Sequence, residues 1–248
     1  MWFRMLGVGA VASISALTIA LAVTGRLALY INPESSWFAV SMAVLALVGV
    51  VLSFLLPLGA AEDHGHDHGD ESAHDHDHET PSPRRIAGTV ATTAGGVLAL
   101  GVAGTMLVVP PATLSAELAA SRDTGAAPLF QGADTVALAI TGDTASFGIG
   151  DWASVFATAT DPEVFDGTEI SLTGFAAPGD GGFDLTRLII THCVIDAQPA
   201  SLPVATGEIP SDGQWVTVTG TIRDVDGQLR VDAASVEPID EPEDPYEF

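Results

Sequence analysis

"QWVTVTGTIRDVDGQLRVDAASVEPI", residues 214–239, decides the architecture of the C-terminal half. Gln214–Val225 and Gly227–Ile239 are β-rich runs with apolar alternation or continuity, and Asp226–Gly227 between them is the kind of dipeptide that closes a tight hairpin. Two upstream runs read the same way: "TEISLTGFAA" (168–177) and "FDLTRLIITHCVI" (183–195), with a Gly-Asp-Gly-Gly turn at 179–182. Ahead of them, "DWASVFAT" from Asp151 reads as a helix capped by the aspartate side chain. Short strands, one helix and paired "V-x-G" turns indicate a small, partly open five-stranded barrel of the OB type.

Outward from this domain the composition changes. Mean hydropathy is +0.36, yet the net charge is −24, with 32 acidic against 8 basic residues. These values conflict for one soluble domain, so the chain divides into an apolar membrane part and an acidic, water-facing part. All the basic residues are arginine. Such a surface repels phosphate backbones and excludes nucleic acid as a partner, while it raises the local concentration of cations. Without lysine there is no P-loop. The single cysteine, Cys193, excludes an intramolecular disulfide framework.

Three uncharged stretches are long enough to cross roughly 30 Å of hydrocarbon: Leu6–Val23, Trp37–Ala60 and Ile86–Val109. The first has the look of a signal peptide, but the second follows too soon to leave an exported domain between them, so it reads as a retained helix. Arg4 precedes the first span and Arg84–Arg85 the third; Arg26 and Arg122 lie on the opposite side. By the positive-inside rule, the N-terminus and the 61–85 loop face the cytoplasm and the C-terminal domain lies outside. Gly88, Gly95, Gly96, Gly101 and Gly104 give the third span a small-residue surface. It suits close helix packing, either within the chain or on another membrane protein.

The 61–85 loop contains "EDHGHDHGDESAHDHDHET" (62–80), with His64, His66, His68, His74, His76 and His78 among eight carboxylates. Imidazole and carboxylate are ligands for Zn²⁺ and other divalent transition metals. Six imidazoles in a Gly-containing acidic string suit exchangeable, several-ion buffering rather than one fixed centre; the bland alternative is a solvated linker. In "HCVIDAQP", strand alternation would send His192 and Cys193 to opposite faces, and Asp196 could join either where the strand ends. Two or three ligands make an incomplete metal site. Equally, Cys193 reads as a small buried hydrophobe with His192 hydrogen-bonded. A thiolate–imidazole nucleophile fails because neighbours in a strand diverge and the domain has no second histidine. The chain is therefore read as a non-enzyme.

The run "LTRLIITHCVIDAQPASLPV" (185–204), with "GQWVTVTGTI", "PATLSAELAASR", "FDGTEISLTGF" and the terminal "EPEDPYEF", resembles the YcgQ family of bacterial membrane proteins. The resemblance implies a membrane-anchored subunit partnered by a multi-spanning YcgR-type permease and linked to metal, especially zinc, homeostasis. In that family the position before Cys193 is usually a second cysteine, where this chain has His192. The expected organisation is two transmembrane helices (1–60), the His/Asp-rich loop (61–85), a third transmembrane helix (86–110), a juxtamembrane segment (111–150) with a strand allowed at Thr135–Ile140, an all-β, OB-like domain with one helix (151–240) and an acidic Pro-rich tail (241–248). The expected role is that of an accessory subunit of a two-component permease handling zinc. The alternative is an envelope interaction module supporting a permease with another substrate.

Overall fold

A computed structural model describes residues 2–55, 83–109, 113–114, 116–122, 138–140, 142 and 144–248. The chain divides into two compact units, Met1–Leu27 with Ser36–Pro111, and Ala28–Ser35 with Ala112–Phe248.

The first unit is helical: α1 (Trp2–Val23), α2 (Ser36–Leu55) and α3 (Pro83–Val108). α1 packs against both others and buries Ser15 and Leu17. α2 is apolar on all sides and leaves Trp37, Phe38, Leu45 and Phe54 exposed. A helix apolar all round belongs in a core or a bilayer, and only 6% of the apolar span Pro33–Phe54 is buried inside the molecule. Among the described residues this span, near the N-terminus, is the one long and apolar enough to cross a membrane; the apolar stretches Gly7–Val23 and Thr93–Val102 are shorter. A Cβ added at Gly95, Gly101 or Gly104 would meet nothing within 4 Å. Those three glycines are therefore not where α3 closes on its own neighbours.

Among the described residues the second unit is built on six strands: β1 (Glu169–Gly179), β2 (Gly182–Ile189), β3 (Gln198–Ala205), β4 (Trp215–Val225), β5 (Gln228–Pro238) and β6 (Tyr246–Glu247). β1 pairs with β4, β4 with β5, β5 with β3, β3 with β2, and β2 returns to β1, which closes a ring. All these pairings are antiparallel except β3–β5. The ring closes because β1 serves two neighbours. Phe175 stands opposite both Thr186 of β2 and Trp215 of β4. The bend there needs Gly174, whose Cβ would fall 2.6 Å from the Thr186 carbonyl oxygen. At the β4–β5 hairpin, Asp226 and Gly227 both adopt positive φ, 55° and 82°, as the tight turn demands.

Past the short helix α4 (Ala116–Arg122), α5 (Ile149–Thr158) seats Ile149, Trp152 and Val155 in the same core as Leu185, Leu202, Val216, Val218, Ile222 and Val231. Its N-cap is Gly148, not Asp151. Asp151 sits at the third helical position and accepts the Gly148 N–H at 3.1 Å. Leu138–Ile140, where the sequence allows a strand, are helical, and the rest of that stretch lies outside the described residues. The expected strand 183–195 stops at Ile189.

Candidate functional site

Beyond Ile189 the chain is held from two directions. The N–H of Ile190 donates to the Glu247 carbonyl at 2.9 Å, so β6 continues along the edge of β2 that β1 has left. A short 3-10 turn, Val194–Asp196, then follows and brings Asp196 back over the preceding backbone. Its carboxylate accepts the N–H groups of Thr191 at 3.2 Å, His192 at 3.0 Å and Cys193 at 3.2 Å. The same carboxylate lies 3.1 Å from His192 Nδ1, and the imidazole is 82% exposed.

The alternation expected for His192 and Cys193 therefore does not apply, since neither lies in a strand running on from β2. The geometry gathers His192 and Asp196 and leaves the Cys193 thiol, half-buried, outside their contact. Among the described residues no group of three or more His, Cys, Asp or Glu side chains is close enough to hold a metal ion. Two donors are half of a tetrahedral set, and one of them is already occupied by three backbone N–H groups. That donor set falls short of a resident structural metal site. His64, His66, His68, His74, His76 and His78 lie outside the described residues.

The segment joining α1 to α2 is stitched onto this turn. Ile31 forms a bridge with Cys193, the Val194 N–H donates to the Tyr30 carbonyl at 2.8 Å, and the Asn32 N–H donates to the His192 carbonyl at 3.0 Å. The Asn32 side-chain amide adds a bond to the Thr191 carbonyl at 3.0 Å. Nothing in the local pattern of "YINPE" foretells this attachment, because its partner lies some 160 residues away.

Arg187 is the second organising residue, and sequence reasoning gave it no role. Its guanidinium donates to the Thr173 carbonyl at 3.1 Å and to the Asp244 carbonyl, lies 3.7 Å from the Glu247 carboxylate, and stands over the Trp215 ring at 5.8 Å. Burial pulls its pKa down, while Glu247 and Asp244 oppose that shift. Glu247 in turn accepts the N–H groups of Ile149 at 3.0 Å and Gly150 at 2.9 Å, satisfying the open donors at the start of α5. Tyr246 is buried, and its hydroxyl accepts the Leu114 N–H at 2.7 Å. Burial raises the Tyr246 pKa, with the Leu114 N–H acting against it. The acidic tail is thus anchored to the β domain through Tyr246 and Glu247. The two sequence signatures, around Arg187 and at "PEDPY", are bound to each other.

Fold and site together define a chain with a membrane-capable helix near its N-terminus and a small β domain whose strand β2 is extended at one edge by the C-terminal strand β6. The chain belongs to the DUF1980 family: the model of the DUF1980 N-terminal domain matches residues 8–125 and that of the DUF1980 C-terminal domain residues 151–248. This fits the resemblance carried by residues 185–204 and the terminal motif. No curated protein and no solved structure matches the chain.

Proposed function

We propose that the chain is a non-enzymatic, membrane-anchored accessory subunit of a two-component permease that handles a divalent metal ion, most simply zinc. In this reading the helical unit crosses the bilayer three times and the OB-like domain lies outside the cell. The histidine string buffers the ion on the cytoplasmic face, and a multi-spanning YcgR-type permease is the partner. The observation that carries the metal reading is the His192–Asp196 pair, 3.1 Å apart with its imidazole open to solvent. A second support is the set of six histidines and eight carboxylates between Glu62 and Thr80.

The three-span arrangement has a topological support. Ala28–Ser35, just before α2, and the residues from Ala112 on, after α3, belong to one compact unit. Whatever leaves that side between them has to return to it. If α2 crosses the bilayer, α3 crosses back, and the histidine string then faces the side opposite the β domain. Arg84 and Arg85 at the start of α3 favour the cytoplasm for that face.

The test is calorimetric titration of Zn²⁺ into the full chain lacking residues 62–80, which keeps the Ala28–Ser35 segment in place on the β domain. Binding that is lost in His192→Ala and in Asp196→Asn supports a site on the β domain; Cys193→Ala shows whether the thiol contributes. Absence of binding removes the β domain from the metal reading. One observation favours the rival reading, an envelope interaction module: the Asp196 carboxylate already serves three backbone N–H groups.

A further inference from the structure

We propose that the Thr191–Asp196 turn of the β domain rests on the membrane surface, with Ile195 seated among the lipid headgroups and Asn32 as the residue that holds it there. Ile195 is 81% exposed, the most exposed large apolar side chain among the described residues of the β-domain unit. One exposed isoleucine needs no explanation by itself; its place in the chain supplies one. Asn32 commits each of its polar groups. Its backbone N–H donates to the His192 carbonyl at 3.0 Å, and its side-chain amide donates to the Thr191 carbonyl at 3.0 Å. In the other direction, its side-chain oxygen accepts the Glu34 N–H at 2.9 Å and its carbonyl accepts the Ser35 N–H at 2.9 Å. All these partners belong to the same compact unit.

That clasp sets the depth of the turn, given the reading in which α2 crosses the bilayer, on which the inference rests. α2 has 20 residues, Ser36–Leu55, and at about 1.5 Å per residue it matches the roughly 30 Å of hydrocarbon. Ser36 therefore lies at the hydrocarbon boundary with no length to spare, and the apolar span already begins at Pro33. Only the 3-10 turn Pro33–Ser35 separates Asn32 from α2. At about 2 Å per residue it carries Asn32 no more than about 8 Å beyond the boundary, to the level of the headgroups, which add about 5–7 Å on each side. The Thr191 and His192 carbonyls, bonded to Asn32, share that level. The other sides of the turn are taken. Asp196 faces the N–H groups of Thr191, His192 and Cys193. Val194 packs on the cluster of Phe175, Leu188 and Tyr246. Arg122, at the end of α4, donates to the Val194 and Ala197 carbonyls at 3.4 and 2.8 Å. Ile195 is the member left outward, and the boundary of headgroups and acyl chains is where such a side chain sheds apolar area from water.

The test uses the full chain with Cys193→Ala in phosphatidylcholine vesicles, carrying an NBD fluorophore on one new cysteine. The positions are Ile195→Cys, Glu208→Cys as an exposed control on the β domain, and Leu45→Cys within α2. A nitroxide near the lipid carbonyls should quench the label at 195 at least about threefold more than the label at 208. A nitroxide near the acyl-chain ends should quench the label at 45. Asn32→Ala should remove about half of the quenching at 195 and leave that at 45 unchanged; quenching at 195 that survives intact would overturn the part given to Asn32. A label at 195 quenched no more than that at 208, with the label at 45 quenched, would overturn the proposal and leave α2 in the bilayer. If the label at 45 is not quenched either, the crossing of α2 fails and the proposal falls with it. Shielding of the label at 195 from an aqueous quencher, without quenching from the lipid, would mean that a protein surface covers it and would overturn the proposal too.

Discussion

Val216, Val218 and Ile222 of β4 are wholly buried, whereas Leu45 and Phe54 of α2 are each 62% exposed. Both elements are rich in large aliphatic residues, yet they stand in opposite relations to solvent. The ring of strands, with α5 packed into its core, supplies its own apolar interior. α2 has too little of the molecule against it to do so, and its outer surface calls for a second apolar phase. The difference teaches that apolar content alone does not place a segment; what covers it does.

The largest break in that contrast comes from the centre of the self-sufficient half. Trp152 is 1% exposed and meets Phe147, Phe156 and Phe165 edge to face. Trp152→Ala should cost about 3–5 kcal/mol and be seen as a lowered unfolding midpoint of the β unit in near-UV circular dichroism. An unchanged midpoint would mean that α5 is not part of the cooperative core.

Leu45, near the middle of α2, sharpens the contrast from the other side. Leu45→Arg should oppose membrane insertion by about 2.5–3.5 kcal/mol and reduce the membrane-bound fraction on flotation. Barrel unfolding should stay at the wild-type midpoint. A variant that stays fully membrane-bound would argue against α2 as a buried span.

The smallest expected effect is a pH dependence at the C-terminal strand. Burial holds the Tyr246 pKa above its ordinary value, so the fold favours the neutral phenol. Its contribution is therefore complete below about pH 10 and is lost as pH rises through the raised, folded value. Wild type should lose thermal stability more steeply than Tyr246→Phe above about pH 10. Parallel curves would show that the phenol does not titrate with unfolding.

Much of the barrel was legible because its signals are local. β1, β4 and β5 follow from apolar patterning, and Asp226–Gly227 marks its own turn. β3 was hidden by Pro199 and Pro203, which argue against a strand interior. They are tolerated because β3 meets β5 only at Val204 and Ala205, so among the described residues that side of β3 has no strand partner along the prolines. β6 reads as a free acidic tail until Arg187 and the start of α5 are known to receive it. The candidate site was legible in its residues but not in its geometry. Asp196 turns the chain back at the point where the patterning suggests a continuing strand, and the Ile31 attachment comes from a distant segment that no periodicity reveals.

The central proposal is that α2 and α3 cross as a pair, which would put the histidine string and the β domain on opposite faces of the membrane. It is tested most directly by maleimide labelling in a Cys193→Ala chain carrying either Ser72→Cys, in the histidine-rich loop, or Glu208→Cys, at an exposed position between β3 and β4. With an impermeant reagent on intact cells, Glu208→Cys should label at once and Ser72→Cys only after permeabilisation. Labelling of both from the same side would contradict the paired crossing.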